Sequence, residues 1–391
     1  MDLLPYDVVE HILERLDVKS LLNCKSVSKQ WRSTIRCRAF QERQLMHRRQ
    51  SCNPDVLLVS VADEFYLLKR VHQAMRTLVL GSSVSVRILT PWEDTLYKVC
   101  QSSCDGLICL YNTYASNIVV NPTTRWHREF PLSTFQRLDR YEHQVGSVSW
   151  AKLGFGKDKI NGTYKPVWLY NSAELGGLND DDEDYDDEDK NNISMICQGN
   201  NNTSTFCEVF DFTTKAWRFV VPASPYRILP YQDPVYVDGS LHWLTEGETT
   251  NVLSFDLHAE TFQVVSKAPF LHHHDYSSRE LIMCNLDDRL CVSEKMWPNQ
   301  VIWSLDSDHK TWKEIYSIDL NITSSLFGSN GFALRPLGVF DKDKLLFCEP
   351  EYGDQLLTHD PKTKSYEFDY RFFSPTTALP LCYFQSLISI L

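Results

Sequence analysis

The chain has 391 residues, of which 43% are hydrophobic and 23% charged, an ordinary composition for a folded globular protein. No stretch approaches the roughly 18 to 20 consecutive apolar residues of a membrane helix, and the early acidic residues Asp2, Asp7, Glu10 and Glu14 are unlike the start of a secretory signal. We therefore expect no membrane span, and the scattered cysteines, none in a CxxC pair, indicate reduced thiols in the cytoplasm or nucleus.

The net charge of −12 is unevenly distributed along the chain. Residues 180–189 include nine acidic residues, whereas residues 1–50 carry ten Lys and Arg against six Asp and Glu. Like charges repel and cannot form a core, so we interpret residues 178–203 as a disordered acidic insertion. A sharper hypothesis is that this acidic tract contacts a basic target or the basic first part of the chain.

The first forty residues have the pattern of three short helices. Pro5 suits a first helical turn, because the N–H group that proline lacks would have no intrahelical acceptor there. The apolar residues that follow recur at i, i+3, i+4 and i+7 and form one stripe, which comprises Val9, Ile12, Leu13 and Leu16. A second helix is expected over residues 18–27 and a third after Ser28, a candidate N-cap. Helices this short bury too little surface to be stable alone, so either a partner or the rest of the chain must cover them.

The order and spacing of residues 2–41 resemble an F-box. Leu-Pro precedes an apolar-faced helix, Val18-Lys19-Ser20-Leu21 follows it, and Val27-Ser28-Lys29-Gln30-Trp31 opens the last part of the motif. The resemblance implies that this segment docks on a Skp-type adaptor and, through the adaptor, on a cullin. The positions that it assigns to the adaptor-facing surface or its support are Leu4, Pro5, Ile12, Leu16, Leu22 and Val27.

The basic stretch from Lys25 to Arg49 would also suit contacts with phosphates. It lacks the pattern of a recognition helix and the interleaved aromatic residues that stack on bases. A solvated helix face or an acidic adaptor explains the charge equally well, so we predict no nucleic-acid partner and no membrane partner.

The rest of the chain contains a repeated turn. Each copy has an apolar strand that ends in Asn or Asp, a polar turn, and an aromatic residue five or six positions after the Asx residue. An Asx side chain can accept a hydrogen bond from the backbone two residues on, and the aromatic residue is interpreted as part of a blade core. The copies begin at Asn121, Asp211, Asp256, Asp306 and Asp360, and their aromatic residues are Trp126, Trp217, Phe262, Trp312 and Tyr366.

A second repeated element is a tight turn that precedes the first element by 16 to 18 residues. Asp-Gly between apolar runs is a strong hairpin signal. The copies are Asp105-Gly106, Asp238-Gly239, Asp288-Arg289 and Asp343-Lys344. A four-strand unit that recurs at about 50 residues is typical of propeller blades. An open β-sandwich of hairpins is the alternative, against which the regular period argues.

The blade count and the way in which the ring closes can also be predicted. We expect about six blades, one of them enlarged by the acidic insertion. Strands near residues 56–90 and 381–391 are expected to share the closing blade, because a ring with joined ends has no exposed edge.

The body resembles the F-box-associated domain of plant F-box proteins, the S-locus F-box-like group. Its most recognisable stretch is Ser103-Cys104-Asp105-Gly106-Leu107-Ile108-Cys109, followed by Val120-Asn121-Pro122-Thr123-Thr124-Arg125. The resemblance implies a target-binding module without catalysis.

Motifs of catalysis are missing from the sequence, which has no HExxH, GxSxG or P-loop. His272-His273-His274-Asp275 could bind a metal, but consecutive residues of a strand point to opposite faces, which favours a polar loop. We predict no catalytic, cofactor-binding or metal-binding residues.

The prediction is therefore an α+β multidomain protein with a three-helix F-box at 2–41, a linker at 42–54 and an all-β propeller at 55–391. Its predicted function is the substrate-recognition subunit of an SCF-type ubiquitin ligase, with an unknown protein target. The alternatives are an F-box lectin-like or small-ligand receptor and, less favoured, a propeller hydrolase.

Overall fold

The structure is a computed structural model, and the residues that it describes are 5–60, 75–78, 85–88, 97–112, 115–138, 151–172, 205–269, 280–306, 310–327, 333–341, 343–349, 355–371 and 378–390. Leu4, the acidic tract and the run of histidines at 272–274 lie outside these residues. Each helix in the described ranges is too short or too polar to cross a lipid bilayer.

The chain begins with a small helical unit, which we name the head. Its helices are α1 (Tyr6–Glu14), α2 (Val18–Cys24), α3 (Lys29–Arg36) and α4 (Arg38–Ser51). The predicted N-cap is present, since Ser28 Oγ accepts a hydrogen bond from Trp31 N at 3.1 Å. Leu13, Val18, Leu21, Ile35 and Phe40 are buried together as the core of the head.

The segment predicted as a linker, residues 42–54, is helical as far as Ser51 because α4 runs through it. Its sequence lacks a continuous apolar stripe, so periodicity did not indicate a helix there. α4, the last helix of the head, therefore takes the place of most of the predicted linker; it has fourteen residues and is about 21 Å long.

The described strands form six four-stranded antiparallel sheets, which we number as blades in chain order. Blade 1 contains β1 (Asp55–Ser60), β2 (Met75–Leu78), β3 (Ser85–Ile88) and β24 (Ala378–Tyr383); blade 2 contains β4 (Lys98–Val99), β5 (Ile108–Tyr111), β6 (Asn117–Asn121) and β7 (Trp126–Phe130). Blade 3 contains β8 (Leu153–Lys157), β9 (Tyr164–Asn171), β10 (Thr205–Asp211) and β11 (Ala216–Phe219); blade 4 contains β12 (Val235–Val237), β13 (Ser240–Leu244), β14 (Asn251–Asp256) and β15 (Phe262–Lys267). Blade 5 contains β16 (Leu281–Leu286), β17 (Arg289–Met296), β18 (Asn299–Asp306) and β19 (Thr311–Asp319), followed by α5 (Leu320–Phe327); blade 6 contains β20 (Arg335–Phe340), β21 (Lys344–Cys348), β22 (Gln355–Asp360) and β23 (Ser365–Arg371).

The ring closes in blade 1, where strands from the two ends of the β-domain pair. β1 is antiparallel to β24, with Val56 opposite Cys382 and Leu58 opposite Pro380. This shared blade confirms the predicted closure, which removes an exposed edge.

Two of the four predicted tight turns, Asp105-Gly106 and Asp238-Gly239, lie where the sequence predicts them. Asp105 and Gly106 have φ values of 54° and 78°, and Asp238 and Gly239 have 47° and 83°, as a two-residue hairpin turn requires. In blade 5 the turn comes one residue earlier than predicted, at Asp287-Asp288, because Arg289 already pairs with Leu286. In blade 6 the predicted Lys344 is already the first residue of β21, paired with Phe340, and the positive φ falls on Asp341.

In the other repeat, Asp211 Oδ1 accepts from Thr213 N at 2.6 Å, and Lys215, four residues after Asp211, has φ 59°. A left-handed residue at this offset recurs in the other copies, at Arg125, Glu260, Lys310 and Lys364.

The aromatic residues of the repeat lie at the contacts between blades and not in the centre of a blade core. They are partly buried against the apolar clusters. Three of them form hydrogen bonds to the end of the preceding blade's outer strand: Trp217 Nε1 to Pro131 O at 2.8 Å, Trp312 Nε1 to Lys267 O at 2.7 Å, and Asp319 N to the Tyr366 hydroxyl at 2.9 Å. These bonds tie neighbouring blades together.

Trp312→Phe is expected to lower the free energy of unfolding by about 1 kcal/mol, the net value of one hydrogen bond, because it removes the donor and keeps the ring. Trp297→Phe is the control, since Trp297 is 54% exposed and is not one of the aromatic residues of the repeat. Denaturant unfolding measures both, and equal midpoints for the two variants would contradict a tie between blades 4 and 5.

Candidate functional site

The head carries large apolar side chains on its surface although its own core is filled. Tyr6, Val8, Ile12 and Val27 are 38%, 41%, 47% and 63% exposed. In α1 the buried Leu13 and the partly buried Val9 face the head core, whereas Val8 and Ile12 stand one turn apart on another face. α1 thus has two apolar faces, and the second is free to contact another molecule.

The six predicted adaptor positions divide into groups. Ile12 and Val27 are exposed, and Pro5 is exposed and forms the N-cap of α1. Leu16 and Leu22 are partly buried against the core of the head, so they support the surface from below. Leu4 lies outside the described residues.

Val8 shares the exposed face of α1 with Ile12 but was not among the predicted positions. Tyr6, which is also exposed, is turned toward α3, where its hydroxyl is hydrogen-bonded to Thr34. The i, i+4 spacing of Val8 and Ile12 was the available signal. This signal was missed because the first stripe of α1 accounted for the amphipathic pattern of the helix without Val8.

The head rests on one end of the propeller. Arg49 lies 3.4 Å from Asp105 and 3.9 Å from Asp288, and Asn53 Nδ2 donates to Asp341 Oδ1 at 3.0 Å. Each of these carboxylates lies in a turn that follows the innermost strand of a blade. We name this end of the propeller the head face.

Asp105 is the centre of a charged network on the head face. Its carboxylate lies 3.0 Å from Lys157 Nζ and accepts a 2.7 Å hydrogen bond from the Tyr164 hydroxyl, which in turn accepts from Arg38 Nη2 of α4 at 3.0 Å. Burial acts to raise the pKa of Asp105, but Lys157, Tyr164 and Arg49 outweigh it and lower the pKa overall. Asp105 is therefore a carboxylate at neutral pH and links α4 to blades 2 and 3.

The opposite end of the propeller, which we name the open face, follows from the strand order. In each blade the innermost strand runs toward the head face, and the direction alternates from strand to strand, so the fourth, outermost strand runs away from it. The connection from one blade to the next therefore lies at the end opposite the head face. Large apolar side chains are exposed in these connections and in the turn between β17 and β18: Val221 at 67%, Tyr226 at 45%, Tyr231 at 39%, Met296 at 52%, Trp297 at 54% and Ile322 at 42%. Such a concentration indicates an interaction surface.

A cavity of about 470 Å³ lies along the inner strands β12, β16, β20 and β24. Its lining includes the ion pair of Asp233 with Arg335, whose atoms are 3.3 Å apart. Within the described ranges no three His, Cys, Asp or Glu side chains are grouped to hold a metal. Burial raises the pKa of the Cys100 and Cys348 thiols to about 12, so they stay protonated and poorly nucleophilic.

Comparison with protein families agrees with this division of the chain. An F-box domain matches residues 1–41, and an F-box associated beta propeller domain matches residues 56–390. The chain belongs to the F-box proteins with an F-box-associated β-propeller domain.

Relatives of this F-box protein occur in Arabidopsis thaliana. "F-box protein At5g10340" is 58% identical over 407 residues, which cover 100% of this chain and 85% of the relative. "F-box/LRR-repeat/kelch-repeat protein At1g09650" is 50% identical over 406 residues, which cover 100% of this chain and 97% of that protein. The resemblance inferred from the motifs is thereby confirmed, as is the combination of a helical head with an all-β propeller.

Proposed function

We propose that this F-box protein is a non-catalytic substrate receptor of an SCF-type ubiquitin ligase, which docks on a Skp-type adaptor through the head and holds a target protein on the propeller. The observation that carries the proposal is that Val8, Ile12 and Val27 are exposed on a head whose core is already complete. Each large apolar side chain that a partner covers fully contributes about 1.5 to 3 kcal/mol before the costs of association.

The target side of the proposal concerns the open face. The head occupies the other end of the ring through α4 and its contacts with Asp105, Asp288 and Asp341. The exposed aromatic residues Tyr226, Tyr231 and Trp297 belong to connections of the open face, and loops on a rigid scaffold suit recognition. We therefore assign target binding to this face.

A basic segment is the target chemistry that the charge supports. The acidic tract lies in sequence between β9 and β10, which meet at the open face through the pairing of Asn171 with Thr205. The sequence leaves two partners open for the tract, a basic target or the basic first part of this chain, and we propose the basic target.

The proposed mechanism is proximity. The adaptor and cullin hold the head, the open face holds the target, and the local concentration of target lysines near the ubiquitin-conjugating enzyme rises without any chemistry by this chain. The described cysteines are free thiols, which fits action in the cytoplasm or nucleus.

The test is direct binding of a plant Skp-type adaptor. Isothermal titration calorimetry is expected to show a 1:1 complex with the full chain and no complex with residues 55–391, which lack the head. Near-ultraviolet circular dichroism establishes that the shortened chain keeps its aromatic packing. Adaptor binding by the shortened chain, or none by the full chain, would refute the proposal.

A further inference from the structure

Residues 384–390, which follow β24 and which we name the strap, lie between the head and the propeller. Leu387 is 4% exposed and belongs to the core of the head. Its neighbour Ile388 is fully buried in the cluster of blades 2 and 3, together with Leu45 of α4. These two adjacent side chains therefore enter different cores, Leu387 that of the head and Ile388 that of blades 2 and 3.

The backbone of the strap is held by blade 2 and by α4. Asn121 Nδ2 donates to Ser386 O at 3.0 Å and to Ile388 O at 2.8 Å, and Ser386 Oγ donates to Asp105 O at 2.7 Å. Arg38 Nη1 of α4 donates to Ser389 O at 3.0 Å. The strap is therefore bonded to both units that it separates.

Gly106 shows how closely the strap approaches blade 2. A Cβ atom at Gly106 would lie 2.4 Å from Phe384 O, whereas at Gly239, in the corresponding turn of blade 4, the nearest atom would lie 3.6 Å away. Both glycines have positive φ, so turn geometry alone would require a glycine-like residue at both positions. The close approach is a second constraint, which applies in blade 2 and is caused by the strap.

The side chain of Asn121 performs two functions that aspartate cannot combine. Its Oδ1 accepts from Thr123 N at 2.9 Å, as Asp211, Asp256 and Asp360 accept from the backbone two residues on. Its Nδ2 supplies the donors for the strap, and Asn121 is fully buried. The repeat has Asp at the four other positions and Asn here, which matches the need for a donor in this one blade.

We infer that Asn121 is a positioning residue that locks the strap between head and propeller and so holds the head at a set orientation to the open face. The orientation of the head affects ubiquitin transfer only if the head binds the ligase and the open face binds the target, so this consequence rests on the proposed function. The lock itself does not depend on any partner.

The test is Asn121→Asp in the full chain, with Asp211→Asn as the matched control. Asn121→Asp keeps the turn acceptor, removes the donors and places a carboxylate against two carbonyl oxygens. Hydrogen exchange followed by mass spectrometry is expected to show exchange in peptides covering 384–390 and α4 faster by about tenfold or more. Asp211→Asn exchanges the same two residue types in blade 3, and its strap peptides are expected to match the wild type within about twofold.

Ser386→Ala keeps the test decisive if Asn121→Asp folds poorly. It removes one hydroxyl and leaves both Asn121 bonds to backbone carbonyls, so a smaller acceleration of about threefold is expected in the strap. Unchanged strap exchange in Asn121→Asp or Ser386→Ala, or equal acceleration in Asp211→Asn, would overturn the inference. Adaptor affinity is expected to stay unchanged in all three variants, so a failure of adaptor binding by the wild type would count against the proposed function and not against the lock.

Discussion

The double variant Ile12→Asp with Val27→Asp is expected to bind a Skp-type adaptor about a hundredfold more weakly than the wild type, or worse. Both side chains are about half exposed in the free chain, at 47% and 63%. The complex of the variant lacks the burial of these two apolar side chains, and its formation must also desolvate two carboxylates. Calorimetry or surface plasmon resonance with purified adaptor measures the change.

The control for this prediction is Ile160→Asp, a change of the same residue type on the propeller. Ile160 is 73% exposed in the turn between β8 and β9, so its replacement is expected to leave adaptor affinity and the unfolding midpoint unchanged. Leu16 and Leu22 are unsuitable for this test, since they pack on the core of the head and their replacement would impair folding as well. An unchanged affinity of the double variant would exclude this surface as the adaptor site.

Asp105→Asn is expected to lower the free energy of unfolding by about 2 to 3 kcal/mol at pH 7. The side chain of Asp105 is 14% exposed and faces Lys157, which is 17% exposed, and Arg49. Breaking a buried ion pair leaves an uncompensated charge and costs about 3 to 5 kcal/mol, which we reduce because Arg49 is partly exposed. Asparagine tolerates the positive φ of the turn, so backbone strain does not contribute.

The matched control is Asp238→Asn, the same position of the same turn in blade 4. Asp238 pairs with Lys159, and the two side chains are 79% and 57% exposed. A surface pair of this kind contributes about 0 to 1 kcal/mol, so a much smaller loss is expected from denaturant unfolding. A loss as large as that of Asp105→Asn would show that the turn, and not the network, is responsible.

The pH dependence separates the charge of Asp105 from its shape. The network lowers the pKa of Asp105 in the folded chain, so its contribution is present above the unfolded pKa of about 3.9 and is lost as pH falls through the folded pKa. The stability difference between wild type and Asp105→Asn is therefore expected to stay constant from about pH 7 to pH 5 and to shrink below about pH 4. A difference that grows on acidification would contradict the assignment.

Much of the head was predictable because its signals are local. The stripe of Val9, Leu13 and Leu16 and the Ser28 cap operate within one or two helical turns. The predicted adaptor positions are harder to separate, since periodicity does not distinguish a side chain that faces the head core from one that faces solvent. Ile12 and Leu16 are four residues apart and belong to the same predicted stripe, yet Ile12 is exposed and Leu16 packs against the core of the head.

The sequence by itself determined most of the hairpins and their recurrence, because a two-residue turn and an Asx turn are set by side chains within a few positions of each other. The closing strand pair was predicted from the general rule that a closed ring has no exposed edge, and not from local side chains. The tertiary structure decided what these elements meet. In the sequence Asn121 is one more turn residue, and only the closed ring places it against Ser386, 265 positions away. Asp105 lies at the centre of an ionic network because α4 crosses the head face. Contacts between distant segments depend on how the blades close into a ring and where the head comes to rest, and local patterns of polarity carry no record of either.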